Sequence, residues 1–239
     1  SDLKMKDIDV IDEASYVGNV VLEDFDIGTL LGKKDLGIVS LNIDVDGKGF
    51  KEKYLNTAIK GDVSQIDFKK YKYTNVAVNG VFKAPHYEGL IDVKDPNLSM
   101  TFDGKLDLSK KVSSYDFRVN VENANLNKLK LIKDSISVFK GDVVVHAAGN
   151  SIENLEGNIY INKTSYQNGK GIYNFDDFAV VSSFDQNRVR TITVNSPDIV
   201  EGEVVGRYEF SQLKNLVTNS LGSLYTNYKP VKVKKGQFL

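Results

Sequence analysis

Residues 139–161 read FKGDVVVHAAGNSIENLEGNIYI. Two runs rich in β-branched residues, 143–145 and 159–161, lie on either side of Gly149 and Asn150, which favour turns. Short runs of this composition, bounded by Gly and Asn, are typical of strands joined by tight turns. The pattern continues through a second turn at residues 168–169 and on to residue 210. This stretch therefore predicts an all-β fold, and the rest of the chain follows the same plan.

Strict alternation of apolar and polar residues marks the predicted strands upstream. From Leu98 to Leu108 every second residue is apolar or Gly, and the residues between them are polar or charged. In a strand this period places all the apolar side chains on one face. A slip of one residue would turn that whole face to water, so the pattern also sets the pairing register. We therefore predict an elongated, curved, mostly antiparallel repeat sheet with an apolar concave face.

Glycines recur at one place in the predicted strands, in units of the form apolar, any residue, Gly, any residue, apolar. Glycine inside a strand permits a sharp bend or the close approach of another backbone. We expect the missing side chains to belong to the inner face and to help the sheet curve. The units are centred on Gly61, Gly80, Gly104, Gly141 and Gly157.

Helix patterns are few. Apolar residues recur every three or four positions over 212–228, behind a possible N-cap at Ser211, which predicts one short amphipathic helix near the C-terminus. Residues 26–32 predict a helical turn closed by glycine, and residues 126–132 a second short helix. Residues 231–233 are interpreted as a strand. No linker-like tract interrupts the chain, so residues 1–239 are interpreted as one repeat-type β-groove segment.

Composition limits the classes of function. The chain has 239 residues with 41% hydrophobic content, enough for a folded domain. Its 31 basic and 32 acidic residues leave a formal net charge of -1, which argues against nucleic acid as a partner. There is no Cys, so disulfides and thiolate metal sites are excluded. No apolar run approaches the roughly 20 residues of a membrane-spanning helix.

Residues that carry catalysis or bind metal are sparse. His86 and His146, the only histidines, lie far apart and have no neighbouring carboxylate cluster. Residues 44–47 read DVDG, like the start of a calcium loop, but Leu55 stands where such a loop needs a bidentate Glu, so a hairpin turn is predicted there. Asp176 and Asp177 are adjacent on a predicted strand and would point to opposite faces. With no phosphate-binding loop, dinucleotide fingerprint or nucleophile elbow, we predict neither an enzyme nor a metal or cofactor site.

Four stretches carry a resemblance to a known family. They read SISVFKGDV at 135–143, IYINKTSYQN at 159–168, NSPDIVEG at 195–202 and NSLGSLYTNY at 219–228. Together with residues 37–50 and 56–80, the chain resembles the TamB translocation and assembly module family of Bacteroidetes-type bacteria. This family belongs to the AsmA-like, bridge-like lipid transfer group.

The resemblance implies a long periplasmic protein, anchored in the inner membrane, whose taco-shaped β-sheet has a greasy inner face. It implies a role in outer-membrane biogenesis, through phospholipid transport, through support of outer-membrane protein assembly, or both. It also implies an outer-membrane barrel partner of the TamA/BamA type. Since neither the anchor nor the barrel-contacting domain is recognisable, we expect this chain to be an internal segment that leaves membrane attachment and partner binding to other regions.

The alternating apolar residues of the predicted strands are candidates for the lining of a groove that would hold phospholipid acyl chains. The alternative is a structural β-solenoid or adhesin-like surface module, in which these side chains pack into a closed, dry core. The candidates are Val39, Leu41, Ile43, Leu98, Met100, Phe102, Phe117, Val119, Ile159, Ile161, Ile192, Val194, Tyr208 and Phe210.

Overall fold

A computed structural model describes residues 2–6, 9, 14–49, 54–109, 111–224, 227 and 229–239. Within them the predicted all-β, antiparallel fold is confirmed, with two short α-helices. The strands are β1 Asp2–Lys6, β2 Ser15–Asp26, β3 Leu36–Lys48, β4 Asn56–Phe68, β5 Tyr71–Lys83, β6 His86–Asp95, β7 Leu98–Asp107, β8 Ser114–Asn125, β9 Ser137–Ala148, β10 Glu156–Asn168, β11 Gly171–Phe184, β12 Arg190–Ser196 and β13 Val200–Gly206. The helices are α1 Ile27–Leu31 and α2 Phe210–Gly222, and a 3₁₀ turn spans Ile152–Asn154.

All of these strands form one sheet in sequence order, each antiparallel to the strand before it. Short turns favour this order at connections such as those from β4 to β7, because a turn of a few residues brings the next strand back beside the last one. Among the described elements, extensive contacts between strands join sequence neighbours only. The sheet is therefore open and forms a single layer.

Several bulges of the sheet lie close to one line, whereas the register shift between Leu36 and Val39 lies outside it. The ladders shift register in β2 after Leu22, in β8 after Val121 and in β10 after Asn162. Paired residues lead from Leu22 strand by strand to Val121, so these bulges align across the sheet. Asp24 and Lys163, inside two of them, have φ of 46° and 50°. Bulges bend and twist a strand, so a shared line of bulges bends the sheet as a whole.

Both ends of the predicted helical turn at residues 26–32 are confirmed. Asp26 accepts a hydrogen bond from the Thr29 backbone N–H at 2.9 Å, which caps the start of α1. Gly32 ends the helix in the left-handed conformation, with φ of 62°. Hydrogen bonds from Thr29 lower the pKa of the Asp26 carboxyl, so the cap is an ionised carboxylate at neutral pH.

The C-terminal helix is present, but it begins at Phe210 and ends at Gly222, whereas the prediction was 212–228. Tyr225 and Tyr228, which were expected in its last turn, lie outside the described residues. Glu209 is the N-cap residue, so Ser211 lies inside the helix. No helix in the described part of the chain is long and apolar enough to cross a membrane.

Three local predictions were wrong. Residues 46–47 do not form a turn, because β3 runs on to Lys48 and Gly47 pairs with Tyr16 and Thr57 on the neighbouring strands. Residues 126–132 form turns rather than a helix, and residues 231–233 lie outside any strand. In each case tertiary contacts outweighed a weak local preference.

A small core forms where the connection after β8 folds back over the sheet. Leu129, 2% exposed, packs with Val121 and Ala124. Partly buried side chains surround this cluster, including those of Leu98, Met100 and Val119. At the ends of these strands the apolar face is therefore covered.

A buried carboxylate fastens the turn beside this core. Asp95, at the end of β6, accepts hydrogen bonds from the Tyr71 hydroxyl at 2.5 Å and from the Thr74 hydroxyl at 2.9 Å. It also accepts the backbone N–H of Asn97 at 2.8 Å. Burial disfavours the charge, but the hydrogen bonds outweigh burial and lower the pKa of Asp95.

Candidate functional site: the apolar face of the sheet

The alternating apolar residues share one face across the sheet. Phe102 on β7 pairs with Ile91 on β6 and Val119 on β8. From Val119 the pairing leads on through Val143 to Ile161 and Phe178. All the groove candidates except Tyr208 and Phe210 lie on this face, which we call the apolar face.

The apolar face is only partly shielded from solvent. Val39 is 1% exposed and Phe102 7% exposed, and the other candidates in the strands are half-buried. Side chains contact their neighbours within the layer, but no second sheet lies opposite them in the described part of the chain. The closed core of the structural-module alternative is therefore not the geometry observed, apart from the covered region around Leu129.

Glycines make a strip of the apolar face that lacks side chains. Gly80, Gly89 and Gly104 pair with one another on three successive strands. At Gly104, whose φ is +153°, a Cβ would come within 2.4 Å of the Phe117 Cα. The Tyr87 hydroxyl lies beside this strip and donates a hydrogen bond to the Leu90 carbonyl at 3.1 Å. Gly80 and Gly104 were predicted on the inner face from their position in the alternation, and the register confirms it; Gly89 was not among the predicted units.

Aromatic rings lie beside the glycine strip. The Phe102 ring centroid is 5.3 Å from that of Phe117 and 6.2 Å from that of Tyr87. Burial raises the pKa of the Tyr87 hydroxyl, so it stays protonated and neutral. The middle of the apolar face is thus uncharged and consists of aromatic rings beside the backbone of the glycine strip.

Several hollows indent the apolar face. One of about 370 Å³ lies over β1–β5, another of about 340 Å³ over β8, β9 and the connection after β9, and a third of about 240 Å³ over β9–β12. A larger cleft of about 720 Å³ lies on the opposite face, where charged residues such as Lys4, Asp44 and Lys60 line it. The N-terminal strands thus have a depression on each face of the sheet.

A buried arginine lies at the C-terminal end of the apolar face. Arg190, 3% exposed, shares its parity with Ile192 and Val194 on β12. Its Nε donates to the Ser182 hydroxyl at 2.9 Å. Its two terminal nitrogens donate to the carbonyls of Ile152 and Leu155, each at 2.9 Å. The guanidinium therefore joins β12 to the 3₁₀ turn.

Aromatic rings also contact this guanidinium. The Arg190 Cζ lies 4.8 Å from the Phe210 ring centroid and 5.2 Å from that of Phe184. Burial lowers the pKa of Arg190, while the Tyr208 and Glu153 side chains act in the opposite direction. The hollow of about 240 Å³ is lined by Ala147, Ile152, Leu155, Gly157, Ile159, Val180, Ser182, Arg190, Ile192 and Phe210.

Tyr208 and Phe210 were predicted to extend the last strand, and this was wrong. β13 ends at Gly206, and Phe210 is the first residue of α2. The carboxylate of Glu153 accepts the Phe210 backbone N–H at 3.0 Å, which holds the start of the helix against the 3₁₀ turn. Tyr208 is 8% exposed and its ring meets that of Phe210 at 6.0 Å. Phe210 thus lines the Arg190 hollow from outside the sheet, and Tyr208 packs against it.

Charged and titratable side chains concentrate on the opposite face. His86 lies 3.3 Å from the Asp107 carboxylate, and His146 lies 2.8 Å from that of Asp116. All four residues lie on the face opposite the apolar face. Asp176 and Asp177 are adjacent on β11, as predicted. Among the described residues, no three His, Asp or Glu side chains are grouped closely enough to hold a metal ion.

Sequence reasoning missed Arg190, although a signal was present. Its parity with Ile192 and Val194 placed a cation in an apolar series, which is unusual unless the charge has partners. It also omitted Val78 and Ile91, which the same alternation assigns to the apolar face.

The fold and this face define an open, single-layer antiparallel β-sheet protein with one apolar side. No family model matches the chain, and neither a curated protein nor a solved structure matches it.

Proposed function

We propose that this chain is a non-enzymatic, periplasmic segment of a TamB-like protein that carries phospholipid acyl chains on its apolar face. The observation that carries the proposal is the half-exposed apolar face, which runs from β2 to β12 in an open sheet. The periplasmic location, the outer-membrane barrel partner of the TamA/BamA type and the role in outer-membrane biogenesis come from the sequence resemblance.

The physical argument concerns the cost of moving hydrocarbon through water. Each exposed methylene costs about 0.8 kcal/mol, so a carrier must shelter most of an acyl chain continuously. Apolar contact has no direction, which lets a chain slide along a surface without breaking hydrogen bonds. Half-buried side chains such as Ile43, Val119 and Ile161 provide such a surface.

A pair of adjacent substitutions tests the proposal. Ile161 lies on the apolar face between Val143 and Phe178, and Tyr160 lies on the opposite face. Ile161→Lys places a charge in the path of an acyl chain, whereas Tyr160→Lys makes a similar chemical change outside it. After incubation with phospholipid vesicles and removal of the vesicles, bound phospholipid is measured by mass spectrometry.

We expect the unchanged protein and Tyr160→Lys to carry phospholipid, and Ile161→Lys to carry several-fold less. Circular dichroism checks that both variants keep the β fold. If the unchanged protein takes up no phospholipid, the carrier proposal is wrong and the structural surface module becomes the better explanation. Equal uptake by the two variants would show that lipid binds elsewhere.

A further inference from the structure

The hollow around Arg190 differs from the rest of the apolar face because it contains a cation. We propose that this hollow, the Arg190 pocket, binds the carboxylate of a long-chain fatty acid whose hydrocarbon chain lies along the apolar face. The inference deepens the proposed function, since the acyl chain would use the same surface. The Arg190 pocket would hold the carboxylate end of the fatty acid in one place, beside a positive charge.

Within the described part of the chain Arg190 has no direct ion pair, although the Glu153 carboxylate favours its charge. No Asp or Glu there lies within 4.0 Å of its guanidinium. Three of its N–H groups have acceptors, namely one hydroxyl and two carbonyls, and a guanidinium carries five. A buried cation without a direct ion pair is costly, and two donors remain for an incoming ligand.

A second polar group beside this cation also lacks a partner. The Tyr208 hydroxyl is buried and has no hydrogen-bond partner among the described residues. The Tyr208 ring meets that of Phe210, and the Phe210 ring lies 4.8 Å from the Arg190 Cζ, so the two side chains are close together. Buried hydroxyls usually have a partner, so an unpaired one close to a cation with two free donors indicates a place for an acceptor.

The shape and lining of the pocket select the ligand. A carboxylate is compact and accepts two parallel hydrogen bonds from a guanidinium, which is the geometry that arginine favours. Apart from Arg190 and Ser182 the lining is apolar, so it offers nothing to the bulky polar groups of a phospholipid head. Ile159 and Ile192 continue the lining onto the open face, where a hydrocarbon chain can extend. A fatty acid fits these features better than a phospholipid.

Arg190 also has a structural use, because it fastens the 3₁₀ turn, and the experiment separates the two roles. The probes are a fluorescent polyene fatty acid, cis-parinaric acid, and the alcohol with the same chain. The chain has no Trp, so the probe is observed without energy transfer from indole. We expect the unchanged protein to bind the acid about tenfold or more tightly than the alcohol, as a charge-assisted hydrogen-bonded pair implies.

Arg190→Met should remove that preference, so that acid and alcohol bind alike. Arg118→Met is the matched control, because Arg118 is exposed and lies on the opposite face. This control should keep the full preference. Equal binding of acid and alcohol by the unchanged protein, or a preference that persists in folded Arg190→Met, overturns the inference.

Ile192→Phe decides the matter if Arg190→Met does not fold. It keeps the guanidinium and its three hydrogen bonds and fills part of the pocket. We expect it to weaken binding of the acid about tenfold while β structure by circular dichroism is unchanged. Unaltered acid binding would overturn the inference.

The outcomes also separate this inference from the proposed function. Phospholipid uptake without a preference for the acid would contradict the inference about the Arg190 pocket and leave the carrier proposal standing. A preference for the acid that depends on Arg190, in a protein that takes up no phospholipid, would contradict the carrier proposal and leave the Arg190 pocket standing.

Discussion

Replacing Phe102 by Ala tests whether the apolar face holds the sheet together. Phe102 is 7% exposed, pairs with Ile91 and Val119, and meets the rings of Tyr87 and Phe117. It is therefore the aromatic side chain most completely enclosed by its neighbours in the middle of the sheet. Removing it should expose the surfaces of all of them.

The magnitude follows from the buried area. A buried aromatic side chain hides about 150–250 Å², which at roughly 25 cal/mol per Å² corresponds to about 4–6 kcal/mol as an upper bound. Because the face is open, the rings of Tyr87 and Phe117 can lean into the gap and recover part of that loss. We therefore expect Phe102→Ala to lower the free energy of unfolding by about 3 kcal/mol, the lower end of the range for buried aromatic truncations.

Urea denaturation followed by circular dichroism measures this loss. Leu90→Ala is the matched control, since Leu90 is 45% exposed and lies on the opposite face of the neighbouring strand β6. That change should cost about 0.5 kcal/mol or less. The reasoning is refuted if Phe102→Ala loses less than about 1 kcal/mol or no more than Leu90→Ala, because burial on the apolar face would then contribute little.

Two further predictions concern single positions. Gly104→Ala should destabilise the protein by about 1–3 kcal/mol, since its φ of +153° disfavours a side chain and the new Cβ would meet the Phe117 Cα. Gly202→Ala has open space and should change stability by under about 0.5 kcal/mol, so equal effects in urea would contradict this account. For Asp95, burial opposes ionisation but hydrogen bonds from Tyr71 and other groups prevail, so its pKa is lower in the folded state. The stabilisation from ionised Asp95 is present above the pKa of an unfolded Asp and is lost as pH falls through the folded pKa. Asp95→Asn should therefore flatten the fall in the free energy of unfolding between about pH 5 and pH 2. Identical slopes for the two proteins would disprove this prediction.

Much of the sheet was predictable because its signal is local. Alternation from Leu98 onward requires only that neighbouring side chains point to opposite faces, and β7 follows it to Asp107. The glycine cap at Gly32 was predictable for the same reason, since only a few residues favour the left-handed conformation. The helical turn and the strands around it are consequences of short-range sterics.

The failures share a physical cause as well. Gly47 favours a turn in isolation, but pairing with a strand on each side keeps it extended in β3. Leu126 and Leu129 have helical spacing, yet Leu129 gains more by packing on Val121 than it would in an isolated helical turn. Phe210 was assigned to a strand because its spacing from Tyr208 is two, and the spacing cannot show that Glu153 caps a helix there.

The amino-acid order alone was enough for the strand character, the antiparallel order and the side of each strand that is apolar, because these depend on neighbours in the chain and on short turns. Only the tertiary structure decided that the sheet stays open and that Leu129 covers one region of it. It also decided that Arg190 contacts two aromatic rings and two backbone carbonyls from other elements. These contacts join residues from different segments of the chain, and their energies depend on distance and burial, which no local pattern of residues contains.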